Sequence, residues 1–282
     1  MNKPILAIVH IYYPEMWDEL KSCLNNITLP YDLYVTTVEQ NQSLQDDVKN
    51  FKSDVHFEVV ENRGYDVGPF IHIINQVNLD EYEYVIKLHT KRDVLSEPYF
   101  RGMKNDIWRK NLLYFLQSKN IFNQYIAAFQ NNNKIGMQAY HQLIVHHDIY
   151  DKKSTKALKN WLHNNNYKKI KYAFVAGTMF IAKAKIFKEI QKLNIDEFEL
   201  SNKEHQGQQA HIFERLLGYF VYHNKFIITN GLISEKENQS YHNKIFFEYV
   251  FRFLFQKKIT KSGKLLIKIC KIPVFSKRTT NV

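Results

Sequence analysis

The sequence predicts an α/β fold, a mostly parallel sheet with helices on its faces, and three observations predict it. Within residues 1–93, apolar β-branched runs alternate four times with polar or helix-period segments, the signature of strands joined by crossover helices. The first run, residues 3–13, hardly alternates polar with apolar, as a strand buried on both faces of a parallel sheet does. Finally, Glu61-Asn62-Arg63-Gly64-Tyr65-Asp66-Val67-Gly68-Pro69-Phe70 sets two glycines and a proline at a strand-to-helix junction. Open parallel sheets present ligands at such junctions, where the following helix offers free N–H groups to an anion.

In chain order, residues 3–13 make the first strand, and Pro14 and Glu15 open a helix carrying Trp17, Leu20 and Leu24 that closes at Asn25 and Asn26. Residues 32–37 are the second strand and residues 44–51 a short polar helix. Residues 56–60 alternate as a third strand, and Ile71, Ile74 and Val77 then recur at helical spacing, so the glycine loop lies between strand and helix. Residues 84–89 form a fourth strand that ends in Thr90-Lys91-Arg92-Asp93. Residues 106–116 and 121–129 read as helices, and Asn131-Asn132-Asn133 as a loop. Residues 172–182 read as one long apolar strand broken at Gly177, where another group approaches the backbone closely. Residues 184–193 are a helix, and residues 208–223 another, with His211, Glu214 and Arg215 on a polar stripe and Ile212, Leu216, Leu217 and Phe220 apolar.

The chain of 282 residues is 45% hydrophobic and 15% aromatic, enough to bury a full core. Its two cysteines, Cys23 and Cys270, lie in unrelated contexts, which argues against a disulfide framework. Four histidines between residues 141 and 170 lack metal-ligand spacing. Residues 5–13 run into Pro14-Glu15 without a small-residue cleavage site, so they read as a buried strand and not a signal peptide. No stretch of 18 uncharged apolar residues occurs, and the expected location is cytoplasmic, on the inner face of the cytoplasmic membrane.

The formal net charge of +11 is uneven: from Lys244 onward ten basic residues face one acid, a net of +9, leaving +2 for residues 1–243. Two domains follow, residues 1–243 and a basic aromatic appendage at 244–282, read as an amphipathic helical tail. Alternation of aromatic, apolar and basic residues there suits attachment to an anionic membrane surface. The same composition is compatible with nucleic acid, but the charge sits in the tail and the body carries no binding module, so no nucleic-acid partner is expected.

Three stretches carry residues suited to chemistry: the glycine loop with Arg63 and Asp66, the strand end at residues 89–93, and the His211/Glu214/Arg215 helix. His211 and Glu214, three apart, share a helical face, and a carboxylate beside an imidazole is a candidate general base. An exposed ion-pair face accounts for the same spacing.

Five segments resemble, in order, the rhamnan synthesis F family of bacterial polysaccharide glycosyltransferases. They are Val9-His10-Ile11-Tyr12-Tyr13-Pro14; residues 62–70 of the glycine loop; Lys87-Leu88-His89-Thr90-Lys91; Phe174-Val175-Ala176-Gly177-Thr178-Met179-Phe180; and His211-Ile212-Phe213-Glu214-Arg215-Leu216-Leu217-Gly218. Tyr65 departs from the polar or basic residue expected at its place.

The resemblance implies a GT-A-like, Rossmann-like glycosyltransferase moving rhamnose or another bacterial sugar from a nucleotide-sugar donor to a lipid-linked oligosaccharide acceptor, in O-antigen, capsule or rhamnan synthesis. It implies donor binding by Asn62, Arg63, Gly64, Asp66, Gly68, His89, Thr90 and Lys91. It places Gly177, Thr178, His211 and Arg215 on the wall of the acceptor or donor pocket. Sugar transfer needs a base for the attacking hydroxyl, assigned to Glu214 with Asp66 second, and positive charge on the departing phosphates. GT-A enzymes usually hold a divalent metal on an Asp-x-Asp at the end of the fourth strand. Here His89-Thr90-Lys91 stands there, so no metal cofactor is expected and Lys91, with Arg92 or Arg63, would neutralise the diphosphate; Asp66 or Asp93 would be the ligands otherwise. A non-catalytic scaffold in a polysaccharide assembly complex is the reading that a missing Asp-x-Asp leaves open.

Overall fold

The computed structural model describes residues 4–92, 99–100, 103–146, 152–193, 209–232, 254–259, 264–269 and 272–278. The chain divides into two compact units, Met1–Leu232 and Ile233–Val282.

The first unit begins as the periodicity predicts, with strands β1 (Ile5–Ile11), β2 (Tyr31–Thr37), β3 (His56–Val59) and β4 (Tyr84–His89) separated by helices α1 (Trp17–Leu24), α2 (Gln42–Phe51) and α3 (Val67–Gln76). A two-residue hairpin, β5 (Tyr99–Phe100) and β6 (Met103–Lys104), precedes α4 (Asn105–Leu112) and α5 (Lys119–Asn131). Then come β7 (Ile135–Gln138), β8 (Ile144–Val145), α6 (Lys152–Asn164), β9 (Phe174–Val175), β10 (Phe180–Lys183), α7 (Gln209–His223) and β11 (Ile227–Thr229).

Seven of these strands form one sheet in the order β11-β7-β10-β4-β1-β2-β3. It is mostly parallel: β1 pairs in parallel with both β2 and β4, and only β10, between β4 and β7, runs against its neighbours. Every residue of β1 and of β4 is buried, as the unbroken apolar run of residues 3–13 predicts, whereas β3 at the sheet edge is half exposed. Helix α3 covers the sheet with Val67, Phe70, Ile71, Ile73 and Ile74, and the Phe70 ring meets Phe180 and Phe187 edge-on at 6.1 and 5.3 Å.

Four sequence readings are corrected. Residues 172–182 are two strands in different sheets: β9 pairs with β8, while β10 joins the main sheet. The break at Gly177 is a turn in which Gly177 (φ +80°) and Thr178 (φ +51°) both take left-handed backbone, which redirects the chain. Residues 184–193 form 3-10 turns over Ala184–Lys192 in place of an α-helix; Ala184, Phe187 and Ile190, all fully buried, recur every three residues, the 3-10 period. The polar stripe expected on α7 is not a solvent face: Arg215 is buried and Glu214 largely so, because α7 packs on two sides. The tail expected to be helical contains three strands, β12 (Phe255–Ile259), β13 (Lys264–Ile269) and β14 (Ile272–Arg278), in an antiparallel sheet of that order. Leu265, Ile267 and Ile269 repeat every two residues, and β-branched Ile and Val favour extended backbone; that local preference outweighs the amphipathic helical pattern. Among the described residues no helix is long and apolar enough to cross a membrane.

Two glycines fix how closely the elements approach. A Cβ on Gly68 would lie 1.9 Å from the carbonyl oxygen of Arg63, so the glycine loop folds flat onto the first turn of α3. A Cβ on Gly218 would lie 2.2 Å from the carbonyl oxygen of Ala173 and 2.6 Å from Cα of Phe174, so α7 rests directly on the backbone leading into β9. Alanine normally stabilises a helix interior over glycine by about 1 kcal/mol. At position 218 the sign reverses: Gly218→Ala is expected to lower stability by about 1–3 kcal/mol in denaturant unfolding, because the overlapped atoms are backbone. An unchanged or raised midpoint would show that α7 does not pack so closely.

Candidate active site

The site is built where β4 ends, where the loop before α3 begins and where the turn before β10 crosses. Its centre is Lys87, a lysine inside the apolar strand β4, 1% exposed. A buried ammonium requires a partner. Lys87 Nζ donates to Asp66 Oδ2 at 2.5 Å and to Thr178 Oγ1 at 2.9 Å, and the Thr178 hydroxyl donates to the same Asp66 oxygen. Three distant segments therefore meet on one carboxylate oxygen. Asp66 sits at the N-cap of α3 but makes no side-chain cap bond there, since its oxygen is committed to Lys87 and Thr178.

Two histidines line the same end of the sheet. His89 Nδ1 lies 3.5 Å from Asp66 Oδ2, and His10 Nδ1 is 3.0 Å from Thr36 Oγ1. Burial pulls the His89 imidazole down to about 3 and His10 to about 4, with Lys87 opposing their protonation further, so both are neutral near pH 7. Burial resists ionisation of Asp66, but His89, Lys87 and the bonds from Lys87 and Thr178 outweigh it and hold this carboxyl below the usual range. With His89 neutral, Lys87 is the cation that carries the pairing. Burial lowers Lys87 in turn, offset by Asp66 and Glu214.

Glu214 reaches the cluster from α7. Its Oε1 accepts the N–H of Gly177 at 2.9 Å, and Arg215 Nη1 lies 3.5 Å from Oε2. Arg215 is held by the His211 carbonyl at 2.7 Å and covers the Phe174 ring at 4.9 Å. Burial raises the Glu214 carboxyl, against the pull of Arg215 and the Gly177 N–H, and the negative charge of Asp66 raises it further. Asp66 and Glu214 are thus neighbouring carboxyls whose proton affinities are shifted in opposite directions, Asp66 down by its partners and Glu214 up by burial.

The remaining predicted residues fall around this pair. Gly64 (φ +70°) and Tyr65 (φ +52°) make the left-handed corner of the loop, and the Tyr65 ring approaches His211 at 6.3 Å, joining the loop to α7. Thr90 Oγ1 is used internally, accepting the N–H groups of Tyr12 and Tyr13 at 3.0 Å each. Arg63 pairs with Glu61 at 3.0 Å, and exposed Arg92 pairs with Glu15 while lying 4.1 Å above the Tyr13 ring. Asn62 is half-buried in the loop. Lys91 is half-buried, its Nζ 5.2 Å above the Trp108 ring, and it has no carboxylate partner among the described residues. Trp108 also lies close to Gly177, and Lys91 is near enough to Lys87 and His89 to depress both. Asp66, Lys91 and Glu214 accordingly share one neighbourhood.

Sequence reasoning gave no role to Lys87, His10 or Trp108. The signal for Lys87 was present: a single charge inside Tyr84-Val85-Ile86-Lys87-Leu88-His89 demands a buried counter-charge. Of the Asp66 carboxylate, Oδ2 is engaged by Lys87 and Thr178, and among the described residues no three His, Cys, Asp or Glu side chains converge; Asp93 lies outside the described residues.

Among curated proteins, two from different strains of Xanthomonas campestris pv. campestris, both called "Uncharacterized protein WxcX", are 24% identical over 232 residues. The match takes in 79% of this chain and 32% of theirs, so the chain spans about a third of the length of these relatives. A crystal structure of S. aureus TarS 1-349 overlays with a TM-score of 0.39 and 12% identity, covering 76% of this chain and 55% of that one. The family model for rhamnan synthesis protein F matches residues 1–226, the span that holds all five resembling segments and the whole cluster around Asp66, and the chain belongs to that family.

Proposed function

We propose that the chain is a glycosyltransferase that moves rhamnose or another bacterial sugar from a nucleotide-sugar donor to a lipid-linked glycan acceptor, with Glu214 as general base. The observation that carries this reading is Glu214 itself: a largely buried carboxyl with raised affinity for a proton, aimed by the Gly177 N–H at 2.9 Å, beside a cation-bearing strand end. A base works best when its proton affinity lies near the operating pH, and Glu214 is shifted toward that value while Asp66 is shifted away from it.

In the proposed step Glu214 takes the proton of the acceptor hydroxyl as its oxygen bonds to the anomeric carbon. The bond from that carbon to the phosphate oxygen breaks, and the nucleoside diphosphate leaves with the electron pair. Lys91 stands where positive charge is needed and has no competing carboxylate among the described residues. Asp66 and Lys87 act as positioning residues that lock Thr178 and its turn, and through Gly177 the face of Glu214. Residues 244–282 belong to the same proposal as a basic surface for the membrane that carries the acceptor.

Glu214→Gln keeps an oxygen for the Gly177 N–H and removes the base. Turnover is expected to fall by about 10² or more while nucleotide-sugar binding, followed by thermal shift, survives; near-normal turnover would remove Glu214 from the role.

Lys91 replacing a metal predicts full transfer after exhaustive chelation. Loss of activity in EDTA that Mn²⁺ restores would overturn that assignment.

The buried histidines predict the acid limit of stability. Their folded values lie below the unfolded 6.5, so the unfolded chain binds protons first and stability falls as pH drops from about 6.5 toward 4. Each imidazole contributes about 1.4 kcal/mol per pH unit in that window, and Glu214, with its raised value, gains about as much in the opposite sense where it titrates. Two imidazoles against one carboxyl leave a net loss of at least about 1.4 kcal/mol per unit, readable by urea unfolding at pH 7, 6 and 5. A flat profile would show that the histidines are solvated.

A further inference from the structure

We propose that the outer face of α6 and the strap after it, residues 165–171, dock on anionic phospholipid headgroups. The near-neutral charge of residues 1–243 conceals a segregation. Between Lys152 and Lys188 there are ten lysines and no acid, so the rest of residues 1–243 carries a net −8. Six of the ten, Lys153, Lys156, Lys159, Lys168, Lys169 and Lys171, are exposed on α6 and the strap, and none of these six has an ion-pair partner among the described residues.

Their placement is held by packing. Helix α6 buries Ser154, Leu158 and Leu162, and at 100° per residue Lys153, Lys156 and Lys159 fall within about a third of the circumference on the opposite side. The strap is pinned: Tyr167 N–H donates to the Leu162 carbonyl at 2.8 Å, and the Tyr219 hydroxyl donates to the Lys168 carbonyl at 2.7 Å. Trp161 stacks on Tyr167 at 5.8 Å and meets Phe213 of α7 at 5.9 Å. The lysine-bearing helix and strap are therefore held against α7, the helix that carries Glu214, and Phe174, just past Lys171, lies under Arg215. A surface seated there would set the orientation of the site toward a lipid-borne acceptor; that purpose rests on the proposed function, the binding itself does not.

Charge complementarity fits phosphate-bearing surfaces, and two features favour lipid over RNA. All ten cations are lysine, a point charge suited to diffuse headgroup contact, and none is the planar guanidinium that stacks and forks on bases. Among the described residues no aromatic of this face is offered for base stacking: Trp161 and Tyr167 face each other, and the exposed large apolar residues, Tyr12, Val59 and Ile107, lie elsewhere.

The test is sedimentation of the full chain with phosphatidylglycerol-containing vesicles and with pure phosphatidylcholine vesicles, without donor or acceptor. Binding is expected only to the anionic vesicles. Lys153→Gln, Lys156→Gln and Lys159→Gln together should weaken it on the order of 10²-fold at low salt with an unchanged melting temperature, and Lys→Arg at the same three positions should retain it. A matched tail set, Lys257→Gln, Lys258→Gln and Lys268→Gln, measures the other basic segment. Loss confined to the tail set, no binding by the parent chain, or tighter binding to homopolymer RNA than to anionic vesicles would each overturn the proposal. Failure of transfer to a soluble acceptor would instead strike the proposed function and leave this result standing.

Discussion

The first unit depends on one buried ion pair. Lys87 sits in the middle of the sheet, where an unpaired ammonium would be driven to lose its proton or to pull water in. Asp66 and Thr178 prevent this, and the requirement runs in both directions: the carboxylate keeps the lysine charged, and the lysine keeps the carboxylate ionised. Since the three residues come from β4, from the loop before α3 and from the turn before β10, satisfying one charge fixes the relative placement of all three segments. A buried pair of this kind contributes little net stability, but losing one partner is costly, which makes it a device for fixing geometry.

Of the four non-glycine left-handed positions among the described residues, two lie at the same place, Asn166 and Lys225 being the others. Tyr65 and Thr178 are non-glycine residues with left-handed φ, each following a glycine that is also left-handed. Such conformations cost of order 1 kcal/mol or more apiece and persist where surrounding contacts over-determine them. Thr178 is held by Lys87 and Asp66, and Tyr65 stands against His211. The departure at Tyr65 from a polar or basic residue thus has a structural counterpart: its aromatic ring bridges to α7, a contact that a short polar side chain does not make.

Much of this was legible in the sequence, and the boundary between what was and was not is physical. Period and β-branching placed β1 to β4 and α1 to α3 within a few residues, because each is decided by its own local pattern. Gly64, Gly68 and Gly177 announced unusual backbone, though Gly68 turned out to serve contact with the Arg63 carbonyl. The tail's strands and the 3-10 turns at Ala184–Lys192 were misread because a short apolar pattern fits several periods. The antiparallel placement of β10 was hidden for another reason: it is set by where Lys87 and Phe180 meet across the sheet, a contact between residues far apart in sequence. The burial of Glu214 was equally hidden, since spacing reports which residues share a helix face and not whether that face is covered.

The charges at the site also distinguish its two carboxyls. Asp66 with Lys87, and Glu214 with Arg215, are two opposed pairs, and the neutral histidines add nothing, so the cluster is balanced before any ligand arrives. On the proposed reading, a departing diphosphate brings negative charge that such a balanced cluster does not neutralise. The cation that answers it must be unpaired, near Lys87 and His89, and outside the fixed pairs, and Lys91 over Trp108 meets those conditions. The pairs differ in grip: Lys87 and Thr178 bind Asp66 at hydrogen-bond distance, whereas Arg215 stands 3.5 Å from Glu214 and gives its closer contact, at 2.7 Å, to the His211 carbonyl. The looser pair leaves Glu214 able to exchange a proton. On the proposed reading, that difference in grip separates the carboxylate that builds the site from the one that performs its chemistry.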